Sequence, residues 1–323
     1  MKYKIAICVP YFGKVQDFFN VWAISASYNK DIDFLFFSDD VSAIEFCDQF
    51  TNFKTTFLSF NEMGDLIKSK IGPRCFLNKP YKLCDYKPAY GLIFSDFLKG
   101  YDFWGYCDVD LVFGQITNFI TDEILDNYER IMTLGHFSLN KNDPKIISLF
   151  KQSLYNGYIN FPHIYKKNAC ISVFDEIQFN HICHANGVKI FNSYDIYCDL
   201  HVVEKGFLNS KNKIISDYFV ATLNKKGLFI HQYEDSKPIQ QLYLHLQKRK
   251  MVVNITDSFN TLIIYPNCCE NLLDRSVSDF FIWRHDEKYT VCKKQEIKKA
   301  TNKIRVRRKI EHILFGTLRK KQK

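Results

Sequence analysis

No stretch of the 323-residue chain approaches the ~18 uncharged apolar residues of a membrane-spanning helix. Met1 to Cys8 lack the charged, apolar and small-residue regions of a secretory signal and run directly into a strand-like segment. We therefore expect a cytoplasmic protein, soluble or peripheral on the inner face of the cytoplasmic membrane. The sequence has no internal repeat and no low-complexity linker. None of its eleven cysteines forms a pair with a two-residue gap, which excludes zinc-knuckle and CxxC redox signatures. Their number is odd, and Cys8, Cys107 and Cys170 sit in apolar runs, so they read as small buried hydrophobes in a reducing compartment.

What is present is ordinary for a globular fold, with 46% hydrophobic and 16% aromatic residues, so global disorder is excluded. At ~150 residues per domain the length suits two domains or one large α/β unit with additions. The net charge of +9 is local. Residues 293–323 hold 13 of the 44 basic residues and two of the 35 acids, which leaves the body with 31 basic and 33 acidic residues. A nucleic-acid footprint on the body is not expected. In the tail, Ile304, Ile310, Ile313, Leu314 and Leu318 fall near one side of a helix, with Arg305, Arg307, Arg308, Lys309 and Lys320 mostly elsewhere. A basic amphipathic helix of this kind suits an anionic membrane surface.

Tyr3 to Val9 form a continuous apolar run, as expected of a strand covered on both faces. Phe18, Val21, Trp22 and Ser25 then recur at helical spacing, and Ile32–Phe37 form a second apolar run ending in Ser38-Asp39-Asp40. Strand, helix and strand in under forty residues imply a βαβ unit with its loops at the carboxyl edge of the sheet. Phe53–Phe60 is a candidate third strand, and residues 61–82, with two glycines and two prolines, read as a loop. Pro88 suits the first turn of a helix with Leu92, Ile93 and Phe97 on its apolar face and Gly100 as its stop. Further pieces are strands at Arg130–Leu134 and Leu228–His231 and a helix near Pro144–Tyr155.

The β-type run from Asp102 to Cys107 leads into Asp108-Val109-Asp110. In extended chain, residues i and i+2 share a face, so two carboxylates at this spacing can hold one hard divalent cation. Such a cation neutralises a diphosphate as it departs. Asp31-Ile32-Asp33 has the same spacing but opens a strand, whereas Asp108 and Asp110 close one, and ligands of open α/β sheets bind at carboxyl ends. A calcium loop does not fit, because Leu111, Val112 and Phe113 stand where further ligands and a glycine are needed.

The segments PYFG, FFSDD, KLCDYKPAYG and FWGYCDVDLVFGQI, in this order, resemble nucleotide-sugar-dependent glycosyltransferases of the GT-A fold, in particular bacterial polysaccharide-biosynthesis transferases. The likeness runs from residue 3 to about 250 and is strongest over 79–116. It implies an α/β fold with a Rossmann-like mixed sheet flanked by helices, followed by the basic helical tail. Residues 1–130 would form the nucleotide-sugar half, residues 131–290 the acceptor half, and residues 291–323 the tail. It implies a UDP-sugar donor, Mn²⁺ or Mg²⁺, and a glycan or lipid-linked glycan acceptor, with no nucleic acid as partner.

The resemblance also implies roles residue by residue. Tyr11 and Phe12 would lie by the nucleobase, an aromatic there stacking on uracil or else serving the core. Asp39 would accept from base or ribose, or instead cap a helix. Asp108 would face ribose or metal, and Asp110 would bind metal. Asp85 and Lys87 would reach the donor sugar or phosphates, or form a local ion pair. In the second half, Gly135 permits close backbone approach and His136 could bond a sugar hydroxyl. Asp175 or Glu176 is the candidate base for the acceptor hydroxyl, or an acid pair at a helix start. His245 would complete the metal shell, with Lys248 or Arg249 on the diphosphate or merely forming a solvated basic turn. A non-catalytic carbohydrate- or membrane-binding module on a degenerate scaffold is the rival reading. A nucleotidyltransferase is another, disfavoured by the lack of a glycine-rich phosphate loop near Tyr11.

Overall fold

The computed structural model describes residues 1–152, 165, 174–200, 207–209, 219–232, 237–247, 251–256, 260–265, 268–273 and 276–277. Lys248, Arg249 and the basic segment 291–323 lie outside the described residues.

Strand β1 (Ile5–Tyr11) is buried through its first five residues, as its unbroken apolar run demands. It leads through α1 (Phe19–Ser27) to the parallel β2 (Ile32–Ser38), with Ile5 opposite Ile32. Trp22 of α1 is fully buried and packs edge-on to Phe34 and Phe53. Asp40 caps α2 (Val41–Cys47) by accepting from the backbone amides of Ser42 and Ala43, and β3 (Phe53–Phe57) adds a further parallel strand. On the other side of β1 lies β4 (Phe103–Cys107), also parallel. With β6 (Arg130–Leu134), β7 (Phe137–Lys141) and β8 (Ile190–Phe191) these make a seven-stranded sheet in the order β3-β2-β1-β4-β7-β6-β8, in which β7 runs antiparallel to β4. The mixed α/β architecture agrees with expectation.

Residues 61–82 are not all loop. They open as α3 (Phe60–Ile71), begun by a capping box in which Ser59 Oγ accepts from the Glu62 amide and the Glu62 carboxylate accepts from the Ser59 amide. Two end donors satisfied at once outweigh the ~1 kcal/mol cost of Gly64 inside the helix. The helix read from Pro88 is shorter than its spacing suggests. A 3₁₀ turn at Lys87–Ala89 passes into α4 (Tyr90–Ile93), and Gly100 turns the chain towards β4 at φ +84°.

Strand β5 (Leu111–Phe113) belongs to a different sheet from β4. Asp108-Val109-Asp110 is therefore the whole connection between two sheets. The remaining strands are β9 (Tyr197–Leu200), β10 (Phe207–Asn209), β11 (Phe219–Asn224), β12 (Gly227–Gln232), β13 (Ile239–Gln241), β14 (Tyr243–His245), β15 (Val252–Asn254), β16 (Leu262–Tyr265) and β17 (Cys268–Asn271). The second sheet has the order β10-β9-β14-β5, and a third, six-stranded sheet takes β13-β12-β11-β16-β17-β15. Of the nine cysteines among the described residues, seven are buried, and no described helix is long and apolar enough to cross a membrane.

Candidate active site

The site forms where the two-sheet connection meets the second half of the chain. Strand β14 pairs antiparallel with β5, placing His245 opposite Leu111, and the Leu246 amide donates to the Asp110 carbonyl at 2.8 Å. This brings His245 Nε2 to 3.5 Å from Asp110 Oδ2, across 135 positions of sequence. On its other side β14 pairs parallel with β9, and Asp199 is the register partner of His245. Register partners share a face, and Asp199 Oδ1 accepts from His245 Nδ1 at 2.8 Å. Burial alone would lower the His245 pKa. The hydrogen bonds and charges of Asp110 and Asp199 outweigh it and push the imidazole up to about 10.

His136 stacks on His245 with ring centroids 4.2 Å apart, and its Nε2 lies 2.9 Å from the Tyr243 hydroxyl. Burial, reinforced by the neighbouring His245 cation, holds His136 well below the usual histidine range. His136 is thus a neutral imidazole at physiological pH. His136, Asp199 and His245 each offer a donor atom, all within 4.8 Å of one another.

Lys87 sits on the opposite flank, its side chain 7% exposed. Its ammonium donates to Asp108 Oδ1 at 2.5 Å and to the Gly135 carbonyl at 2.7 Å, with Asp175 Oδ2 at 4.0 Å. Burial opposes its charge, but Asp108 and Asp175 more than compensate, and its pKa rises well above the lysine value. Asp108, still 37% exposed at the side chain, is therefore already neutralised by a lysine. Of the two aspartates, it is Asp110 that stands beside His245.

Asp175 and Glu176 lie in a π-helical turn, Phe174–Gln178, ahead of the helix Phe179–Ala185. Such turns carry an extra residue and recur at functional sites. Here Asp175 is buried and Glu176 exposed. Burial, partly offset by Lys87 and reinforced by Glu176 and Asp108, pushes the Asp175 carboxyl up to about 7. Both side chains reach Gly135, where an added Cβ would stand 2.6 Å from Glu176 Oε1 and 2.7 Å from Asp175 Oδ2. A bulge in β6, with Met132 at φ 63°, sets the Gly135-His136 corner against them.

The first-half residues divide. Tyr11 ends β1 half-buried, its phenol pushed up by burial and by the charges of Asp110 and Asp40, which places it beside the site. Phe12 is buried and packs edge-on to Phe60, so it serves the core rather than a nucleobase. Asp39 accepts from the Gly13 amide at 2.7 Å, tying the first loop to the end of β2, and the helix cap is Asp40. Asp85 is fully buried and pairs with Lys82 at 2.6 Å. In place of the alternative reading, a local ion pair between Asp85 and Lys87, the structure has two pairs, Lys82 with Asp85 and Lys87 with Asp108. The Lys82–Asp85 spacing of three was a legible helical pair. Asp199 had no such signal, since only the pairing of β9 with β14 brings it in.

A family model described as "Family of unknown function (DUF6625)" matches residues 7–272. No curated protein matches the chain. Among solved structures, the apo form of mouse xyloside xylosyltransferase 1 is similar at 9% identity, covering 61% of this chain and 86% of that one, with a TM-score of 0.42. The galactosyltransferase LgtC, in complex with donor and acceptor sugar analogs, is similar at 8% identity, covering 60% of this chain and 75% of that one, with a TM-score of 0.34.

Proposed function

The chain belongs to the DUF6625 family of unknown function, and we propose that this member is a metal-dependent glycosyltransferase. It would move a sugar from a UDP-sugar to a hydroxyl of a growing bacterial surface glycan. The carrying observation is that His245 lies 3.5 Å from Asp110 at the connection closing β4, although the two are far apart in sequence. The donor set fits a divalent ion: a carboxylate and an imidazole meet, and a second carboxylate, Asp108, is two residues away. The nitrogen ligand favours a first-row transition ion such as Mn²⁺ over Mg²⁺.

Asp110 and His245 would hold the ion, with Asp108 beside them. When bound, the ion offsets the negative charge of the leaving diphosphate. Lys87 holds Asp108 in place and supplies a fixed positive charge beneath the donor. Asp175, with its carboxyl poised near neutrality, suits a general base. The acceptor oxygen would bond to the anomeric carbon as its proton passes to Asp175, and the bond to the diphosphate would break with its electron pair leaving on the nucleotide. This is an inverting arrangement, so a product of retained configuration would remove Asp175 from the role. Tyr11 borders the nucleotide side and His136 the acceptor side. Lys248 or Arg249 on the diphosphate, and the basic tail 291–323 on an anionic membrane surface, complete the proposal.

Calorimetry with UDP, with and without Mn²⁺, tests it, followed by a hydrolysis screen over UDP- and GDP-sugars. Metal-dependent UDP binding that is lost in Asp110→Asn while the fold persists is the expected result. Equal UDP binding with and without Mn²⁺ would refute the metal assignment, and failure to bind UDP at all would favour a non-catalytic module.

A further inference from the structure

We propose that Asp199 is a positioning residue for the metal site, fixing His245 so that Nε2 faces the ion. This rests on the reading of Asp110 and His245 as ligands and adds a residue that the Asp-x-Asp motif does not contain.

The geometry carries the argument in two directions. Along the sheet, Asp199 and His245 are register partners on parallel strands, so both side chains leave the same face at the same height. The pair one alternation earlier, Tyr197 and Tyr243, behaves likewise and stacks with centroids 5.0 Å apart. The backbone thus delivers a carboxylate to the imidazole before any side chain chooses a rotamer. Across the ring, Nδ1 is committed to Asp199 at 2.8 Å while Nε2 faces Asp110 at 3.5 Å. Because Asp199 occupies Nδ1, the proton of the neutral ring resides there, and the Nε2 lone pair points at the site. The third restraint is His136, stacked on the ring face at 4.2 Å and itself held by Tyr243. Asp199 sets the rotation of the imidazole about its own axis, and His136 limits its tilt.

A direct-ligand role for Asp199 is the competing arrangement, since its carboxylate shares a 4.8 Å neighbourhood with both histidines. An ion centred in that triplet and held through Nδ1 would have to replace the proton that His245 shares with Asp199, its shortest contact. A carboxylate behind a ligating histidine, by contrast, fixes the tautomer and strengthens the ring as a donor.

The test uses the full chain. Free Mn²⁺ is titrated by electron paramagnetic resonance against wild type, Asp199→Asn, Asp199→Glu and Asp110→Asn, with metal-free thermal unfolding run alongside. Zn²⁺ is added to ¹⁵N-histidine-labelled wild type, with the His245 resonances assigned by their loss in His245→Gln. Asp199→Asn should weaken Mn²⁺ by ~10–100-fold, with Asp199→Glu recovering part of the loss. Zn²⁺ should move the Nε2 resonance of His245 while Nδ1 keeps its proton. Wild-type affinity in a folded Asp199→Asn overturns the proposal, as does a Zn²⁺ shift at Nδ1. With His245→Gln supplying the assignment, the labelled wild type decides the matter even if the Asp199 variants do not fold. Wild type that takes up no metal overturns the ligand reading itself, and this inference with it, whereas metal binding insensitive to Asp199 overturns the inference alone.

Discussion

His245 and Asp110 face each other at 3.5 Å with a second carboxylate, Asp199, behind the imidazole at 2.8 Å. Without metal, the ring between two anions keeps its proton up to about pH 10. The protonated imidazole therefore stands where an ion would bring positive charge.

Metal uptake must displace that proton, because Nε2 ligates only through its lone pair. Mn²⁺ affinity should fall about tenfold for each pH unit below the His245 pKa, with one proton released per ion. Titrations in two buffers of different protonation enthalpy measure the proton count, and a pH-independent affinity would remove His245 from the shell.

Lys87→Met leaves Asp108 and Asp175 without their shared cation. Removing one partner of a fully buried pair costs ~3–5 kcal/mol. With Asp108 more than a third exposed at the side chain, we expect roughly 2–3 kcal/mol after allowing for solvent screening. Chemical denaturation checks this, and Lys87→Met should also raise the Asp175 pKa further, read by carbon NMR.

The Asp175 carboxyl, normally near 3.8, is held up to about 7 in the fold. The folded chain thus binds this proton more tightly than the unfolded chain. Its contribution to stability is full below about pH 4 and is lost as pH rises through about 7. Relative to wild type, Asp175→Asn should gain stability between pH 5 and pH 8 by roughly 2–3 kcal/mol. Parallel curves for the two proteins would show that the carboxyl titrates normally.

Gly135→Ala should cost about 1–3 kcal/mol through overpacking. Its Cβ would press on two carboxylate oxygens at 2.6 and 2.7 Å, and buried Asp175 cannot swing away as exposed Glu176 can. Unfolding midpoints for Gly135→Ala and for the double variant with Glu176→Ala separate the two clashes, since only the Glu176 part should be relieved.

The unbroken apolar runs of β1 and β2, the helical spacing of Phe18, Val21 and Trp22, and the Asp-x-Asp at a strand's carboxyl end were all legible in the chain. They are local, set by the two-residue and 3.6-residue periods that decide which face is buried. The α3 capping box, Ser59 with Glu62, was equally local but was masked by the glycines and prolines around it. Sequence could also nominate His245, Gly135 and Asp175, but only as isolated candidates. Tertiary structure decided which of them meet. It pairs β14 with β5 and β9, turns Lys87 from Asp85 to Asp108, buries Phe12 in the core, and brings Asp199 to His245. Strand pairing across 46 to 134 positions depends on how whole sheets bury their faces against one another, and no short window of sequence carries that information.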